Sequence, residues 1–207
     1  MRNTIRSYCA ACAIGFAATA AFAECPTPDS MQAGDPAYLV YDDGWIVELR
    51  MNSDGLLYEW IRNDIDDAGY RVVSRGGILV VDEIETLGPL NLRRTRVMTR
   101  HSDVDPKSYE PEPGVSLDFE GEAIFADGSR VEMTSISVLA GDPGPLTIAG
   151  CDYEGFDVRV RVSRGEKQLT SVLSYVPALG VSVETARMEA GKPLKTPKPV
   201  SFSTGRP

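Results

Sequence analysis

His101 is the chain's one histidine, and it ends a basic run containing Arg93, Arg94, Arg96 and Arg100. A single imidazole excludes zinc motifs that need two histidines, such as H-E-x-x-H, and confines any histidine-dependent nucleophile to one position. The four arginines and His101 are the material of an anion patch, and protonated neighbours would lower the imidazole pKa. The plainer account is an exposed strand face balanced by nearby acids. No G-x-S-x-G elbow, S-x-x-K, P-loop or G-x-G-x-x-G occurs, so the usual hydrolase, nucleotide and dinucleotide signatures are absent and no cofactor is expected.

The carboxylates are many but carry no complete motif. Asp64, Asp66 and Asp67 begin what could be a calcium loop, yet the fifth position is Ala68 and the twelfth, where a bidentate glutamate belongs, is Arg75. No metal is expected there. An acid pair for glycoside cleavage needs two carboxyl groups roughly 5 to 9.5 Å apart, a spatial fact outside the reach of sequence. Aromatic residues are more suggestive: Tyr38, Tyr41, Trp45, Tyr58, Trp60 and Tyr70 fall within 33 residues. Most belong in a core, but Trp45, Tyr58 and Trp60 on a concave sheet could hold an apolar ligand or stack on a sugar.

Cysteine usage depends on processing. Arg2 and Arg6 followed by an alanine-rich uncharged run and by Ala21-Phe22-Ala23 read as a signal peptide, residues 1–23, cleaved after Ala23. The run is shorter than the ~20 apolar residues that cross a bilayer, so no membrane span is expected after cleavage. The Cys9-x-x-Cys12 spacing lies inside this leader and is expected to be lost with it. Cys25 and Cys151 remain, and an exported setting makes them a disulfide pair closing a loop of about 126 residues. Chain entropy puts its stabilisation at up to roughly 5 kcal/mol.

Composition restricts the partners. The whole chain carries a net charge of −9, and loss of the two leader arginines makes it −11. Such a field opposes nucleic acid.

Strand signals fill the rest. Phe156, Val158, Val160 and Val162 alternate with Asp157, Arg159, Arg161 and Ser163, the period of a half-buried strand. Arg164-Gly165-Glu166-Lys167 turns the chain into a second strand over 168–175, and Gly180 reverses it into a third over 181–188. Ala37–Tyr41 and Trp45–Met51 flank Asp42-Asp43-Gly44, and further strands are expected over 56–62, 70–74, 78–84, 90–101, 115–125 and 129–140. Residues 102–114 form the longest irregular segment. No stretch of a dozen residues in the mature chain keeps a 3.6-residue apolar stripe. The fold class expected is therefore all-β: an antiparallel meander of about ten strands that closes into a barrel-like sheet or packs as a sandwich to hide its edges.

One β domain over 24–190 is expected, followed by a Lys/Pro-rich extended tail, 191–207, in which Lys192, Lys195 and Lys198 interleave with Pro193, Pro197 and Pro199. In strand count and alternation the chain resembles the open-barrel lipoprotein carriers of the periplasm. That resemblance implies a carrier of a lipid or other apolar molecule in a half-open barrel. The residues themselves favour a periplasmic or secreted binding domain without catalytic residues, its partner an envelope protein; a carboxylate-dependent hydrolase is the third reading.

Overall fold

The computed structural model describes residues 24–63, 65, 67–128 and 130–207. The expected leader with Cys9 and Cys12, and Asp64 and Asp66 of the acidic loop, lie outside these residues. The strands are β1 (Ala37–Tyr41), β2 (Trp45–Met51), β3 (Leu57–Asn63), β4 (Ala68–Arg75), β5 (Leu79–Leu87), β6 (Leu90–Asn91), β7 (Val97–His101), β8 (Ser116–Phe125), β9 (Val131–Ala140), β10 (Gly144–Ile148), β11 (Cys151–Arg164), β12 (Lys167–Val176), β13 (Val181–Glu189) and β14 (Pro199–Ser203). They form one antiparallel sheet in the order β13-β12-β11-β9-β8-β7-β5-β4-β3-β2-β1-β14, with β6 beside β5 and β10 beside β11. This sheet is nearly closed into a barrel.

Period-2 patterning builds the wall. In β11 Phe156, Val158 and Val160 are buried, whereas Asp157, Arg159 and Arg161 face solvent. The core consists of two apolar clusters, the first of which also covers the outward face of the β12–β13 hairpin near its turn. The first joins Leu39, Val47, Leu49 and Leu57 to Val181, Val183 and Phe202; the second joins Leu79, Phe119, Ile136 and Val158 to Leu173 and Tyr175. Between β4 and β5 the Gly76-Gly77 turn reaches the β12–β13 hairpin, where Ser182 Oγ donates to the Gly76 carbonyl at 2.6 Å. Both glycines have positive φ, and a Cβ on either would come 3.1 Å from Tyr175 or Ser182. Glycine is needed there twice over, for conformation and for approach.

The two sheet edges, β13 and β14, meet differently from a simple seam. Consecutive Val181, Ser182 and Val183 are all buried, so both faces of the first half of β13 are covered. A bulge between Val172 and Leu173 re-aims β13 and leaves Thr185 to donate to the Val172 carbonyl. Where the sequence predicts an extended tail from Gly191, the chain instead spans the gap between the edges. Arg187 and Lys195 exchange backbone hydrogen bonds of 2.8 and 2.9 Å, and residues 199–203 then pair with β1 as β14.

Other segments also depart from expectation in detail. Within 90–101 the strand is interrupted by a 3-10 turn at Arg93–Thr95, fixed by Thr95 Oγ1 accepting from the Glu85 amide. The lead-in carries a one-turn helix, α1 (Pro28–Gln32), capped reciprocally by Thr27 and Ser30, that buries Met31. The long loop at 102–114 packs at the end of the barrel that carries the Gly76 turn, with Tyr109 edge-on against Phe119 and its carbonyl accepting from Arg75 Nε at 2.7 Å. Cys25 and Cys151 are disulfide-bonded, with their Cα atoms 5.8 Å apart, and tie the start of the described chain to β11. Among the described residues no helix is long and apolar enough to cross a membrane.

Candidate functional site

Inward-facing residues change character along the barrel. Toward the end that carries the Gly76 turn, Leu49, Leu57, Leu79 and Val158 are no more than 1 % exposed. Toward the other end, which carries the β1–β2, β8–β9 and β11–β12 turns, the same faces present Glu59, Glu83, Arg164, Glu184 and Arg187, all partly accessible. Their places follow from register. Glu59 lies between Leu57 and Ile61 on the inner face of β3 and pairs with Val72, which pairs in turn with Glu83. Arg164 continues the Phe156-to-Val162 face, and Glu184 and Arg187 sit opposite Leu173 and Ser171.

These charges meet across the barrel. Arg164 Nη1 lies 3.2 Å from Glu83 Oε1, although β11 and β5 are four places apart in the sheet. That contact can only cross the interior. Glu184 Oε1 accepts from Ser171 Oγ at 2.8 Å and from Arg187 Nε at 2.9 Å. Tyr41 comes from β1 against Glu184, and burial, with the Glu184 charge adding, pushes its phenol well above the ordinary range. Arg187 loses solvation there, but Glu184 more than offsets the loss and holds its pKa above the usual value.

Glu59 is the exception to this pairing. Among the described residues its one side-chain hydrogen bond is from Ser74 Oγ at 3.1 Å, and no cation among them neutralises it. Burial raises its pKa from 4.5 to about 7, with Glu184's charge adding and the Ser74 bond opposing. Protein surrounds the carboxyl, yet part of Glu59 stays accessible. Two more polar groups in this wall are unsatisfied. Thr134, 1 % exposed, has no partner for Oγ1 among the described residues, and neither does Nε of Arg164, its register partner. Buried polar atoms of this kind take their partners from water or a ligand.

The residues singled out by sequence lie elsewhere. Trp45 packs on the first apolar cluster from the inner face of β2, but Tyr58 and Trp60 occupy the outer face of β3. There Trp60 stacks with Arg71 and Arg62, whose guanidinium carbons lie 5.0 and 5.6 Å from its ring centroid. The three aromatics therefore share no surface. In the basic run, Arg96 binds Asp82 at 2.7 Å, Arg100 approaches Glu122 at 3.7 Å, and Arg93 and Arg94 occupy the exposed 3-10 turn. His101 lies at the other end of β7, beside a depression of about 640 Å³ lined by residues 99–106 and Val81. Its Nε2 is 3.0 Å from the Val80 carbonyl, so Nε2 carries the hydrogen; burial lowers its pKa, where the sequence had pointed to the arginines.

Sequence reasoning missed the interior charges, although two were signalled. Glu59 and Arg164 each stand where the alternation of their strand calls for an apolar residue. Glu184 was hidden, because the bulge in the β12–β13 pairing sets its facing. No group of three His, Cys, Asp or Glu among the described residues is arranged to hold a metal ion. In comparisons with family models, curated proteins and solved structures, the chain matches none.

Proposed function

We propose that the protein is an exported, non-catalytic binding barrel whose charged interior receives a small organic cation, an ammonium group paired with Glu59. The observation that carries this reading is Glu59 itself: an inward carboxyl without a cationic partner among the described residues, beside two carboxylates, Glu83 and Glu184, that already have theirs. An ammonium ion would supply the missing charge and favour the ionised form of Glu59. Apolar cargo would meet Glu184, Arg187 and Arg164 in the same space and desolvate them without compensation. The Cys25–Cys151 disulfide supports work outside a reducing compartment, in keeping with the leader read from sequence.

Benzylammonium titrated calorimetrically into the mature protein at pH 7 tests the proposal. Saturable one-to-one binding is expected, with benzyl alcohol silent and Glu59→Gln weakening affinity by about tenfold or more, the value of a charge-assisted hydrogen bond. Equal binding by Glu59→Gln would contradict it. Catalysis is favoured by one specific feature, the electrostatic coupling of Glu59 to Glu184, whose surroundings differ as those of an acid and its base do. Hydrolysis of an aryl glycoside lost in both Glu59→Gln and Glu184→Gln, with both variants folded, would establish that reading instead.

A further inference from the structure

We propose that the outer face of β11, β12 and β13 is a second site, a groove for one anionic amphiphile, a medium-chain carboxylate. Its acid group meets Arg159 and Arg161, and its chain lies over Val172, Ala186, Met188 and Leu194. The groove encloses about 220 Å³. Register builds it from two rows, Arg159–Val172–Ala186 and Arg161–Thr170–Met188. Leu194 adds the far wall from the segment that joins β13 to β14, next to the Arg187–Lys195 bridge.

Two observations select the occupant. Toward the Gly76 turn the outward face of the same hairpin is covered, with Val176, Val181 and Val183 buried in the first cluster. At the groove that cover stops, and Met188 and Leu194 are 50 % and 60 % exposed. An apolar floor about 10 Å long, two strand spacings, is left for a ligand. Arg159 and Arg161 are exposed, and neither has a carboxylate within ion-pair distance among the described residues, in a chain with 30 acidic against 21 basic side chains. As alternate residues of one strand they lie about 7 Å apart on one face. Guanidinium groups bind a carboxylate in a fork, so the rim calls for an acid and the floor for a hydrocarbon. Neither an inorganic anion nor a neutral lipid uses both. The groove lies on the opposite face of the sheet from Glu59, with Arg187, held by Glu184, at its edge.

Octanoate titrated into the mature protein, followed by backbone amide shifts, tests the proposal. One octanoate per chain is expected, with shifts concentrated in β11–β13 and residues 192–196, and with acetate and octanol far weaker. Arg159→Gln with Arg161→Gln, both at exposed positions, should weaken binding by about tenfold or more. Met188→Ser should also weaken it, and Glu59→Gln should leave it unchanged. Undiminished binding by the double variant, or shifts confined to the barrel interior, would overturn the assignment. So would capture by anionic phospholipid vesicles without octanoate binding, which would make this face a membrane-contacting surface.

Discussion

At the scale of single residues, the molecule's most consequential group is a carboxyl that resists ionisation. Glu59 has a folded-state pKa of about 7 against an ordinary 4.5, so between those values the folded chain holds a proton that the unfolded chain has released. The sign follows from linkage: Glu59's contribution to stability is complete below about pH 4.5 and is lost as pH rises through 7. The size is at most about 3 kcal/mol, from 1.36 kcal/mol per pKa unit. Glu59→Gln should therefore raise the melting temperature at pH 8 and change it little at pH 4.5. Thermal unfolding across that range checks this, and a variant less stable than the parent at pH 8 would contradict it. Glu59 was legible in principle, since it interrupts the Leu57, Ile61 face. Its raised pKa was not, because that depends first on burial in the closed sheet and then on Glu184, from a strand more than a hundred residues away.

Among the elements, β14 does the most for closure and was the least visible in advance. Proline and lysine between 192 and 199 read as a polyproline-like tail, but Pro199 begins the strand on the sheet's edge, where a missing backbone donor is tolerated. Phe202, 2 % exposed, then packs in the first cluster with its ring edge-on to Tyr153 at 5.9 Å. Phe202→Ala should destabilise the protein by about 3–5 kcal/mol, the usual cost of removing a buried phenylalanine. Urea unfolding would show it as a lowered midpoint, whereas a loss below about 1 kcal/mol would mean that the segment is not part of the core. By contrast β2, β8, β9 and most of β11 were legible, since each shows plain alternation and is followed by a break that carries glycine. The facing of β13 was not, because its bulge depends on the partner strand.

For the molecule as a whole, the sequence pointed to a meander that must hide its edges, and the structure does so by near-closure with one edge strand covered on both faces. Sequence could not tell a filled interior from a partly charged one, because Arg164 and Glu83 become neighbours only when β5 and β11 come together across the barrel. Under the proposed function, binding in that charged interior is coupled to protons. Burial raises the Glu59 pKa to about 7, so near that pH an ammonium ligand that pairs with the carboxylate displaces the proton from the protonated fraction. The most direct measurement is proton release when benzylammonium is added to the chain of residues 24–207 in weakly buffered solution at pH 7. Proton release on binding is expected from the parent and none from Glu59→Gln; binding without proton release, or equal release from that variant, would contradict the proposal.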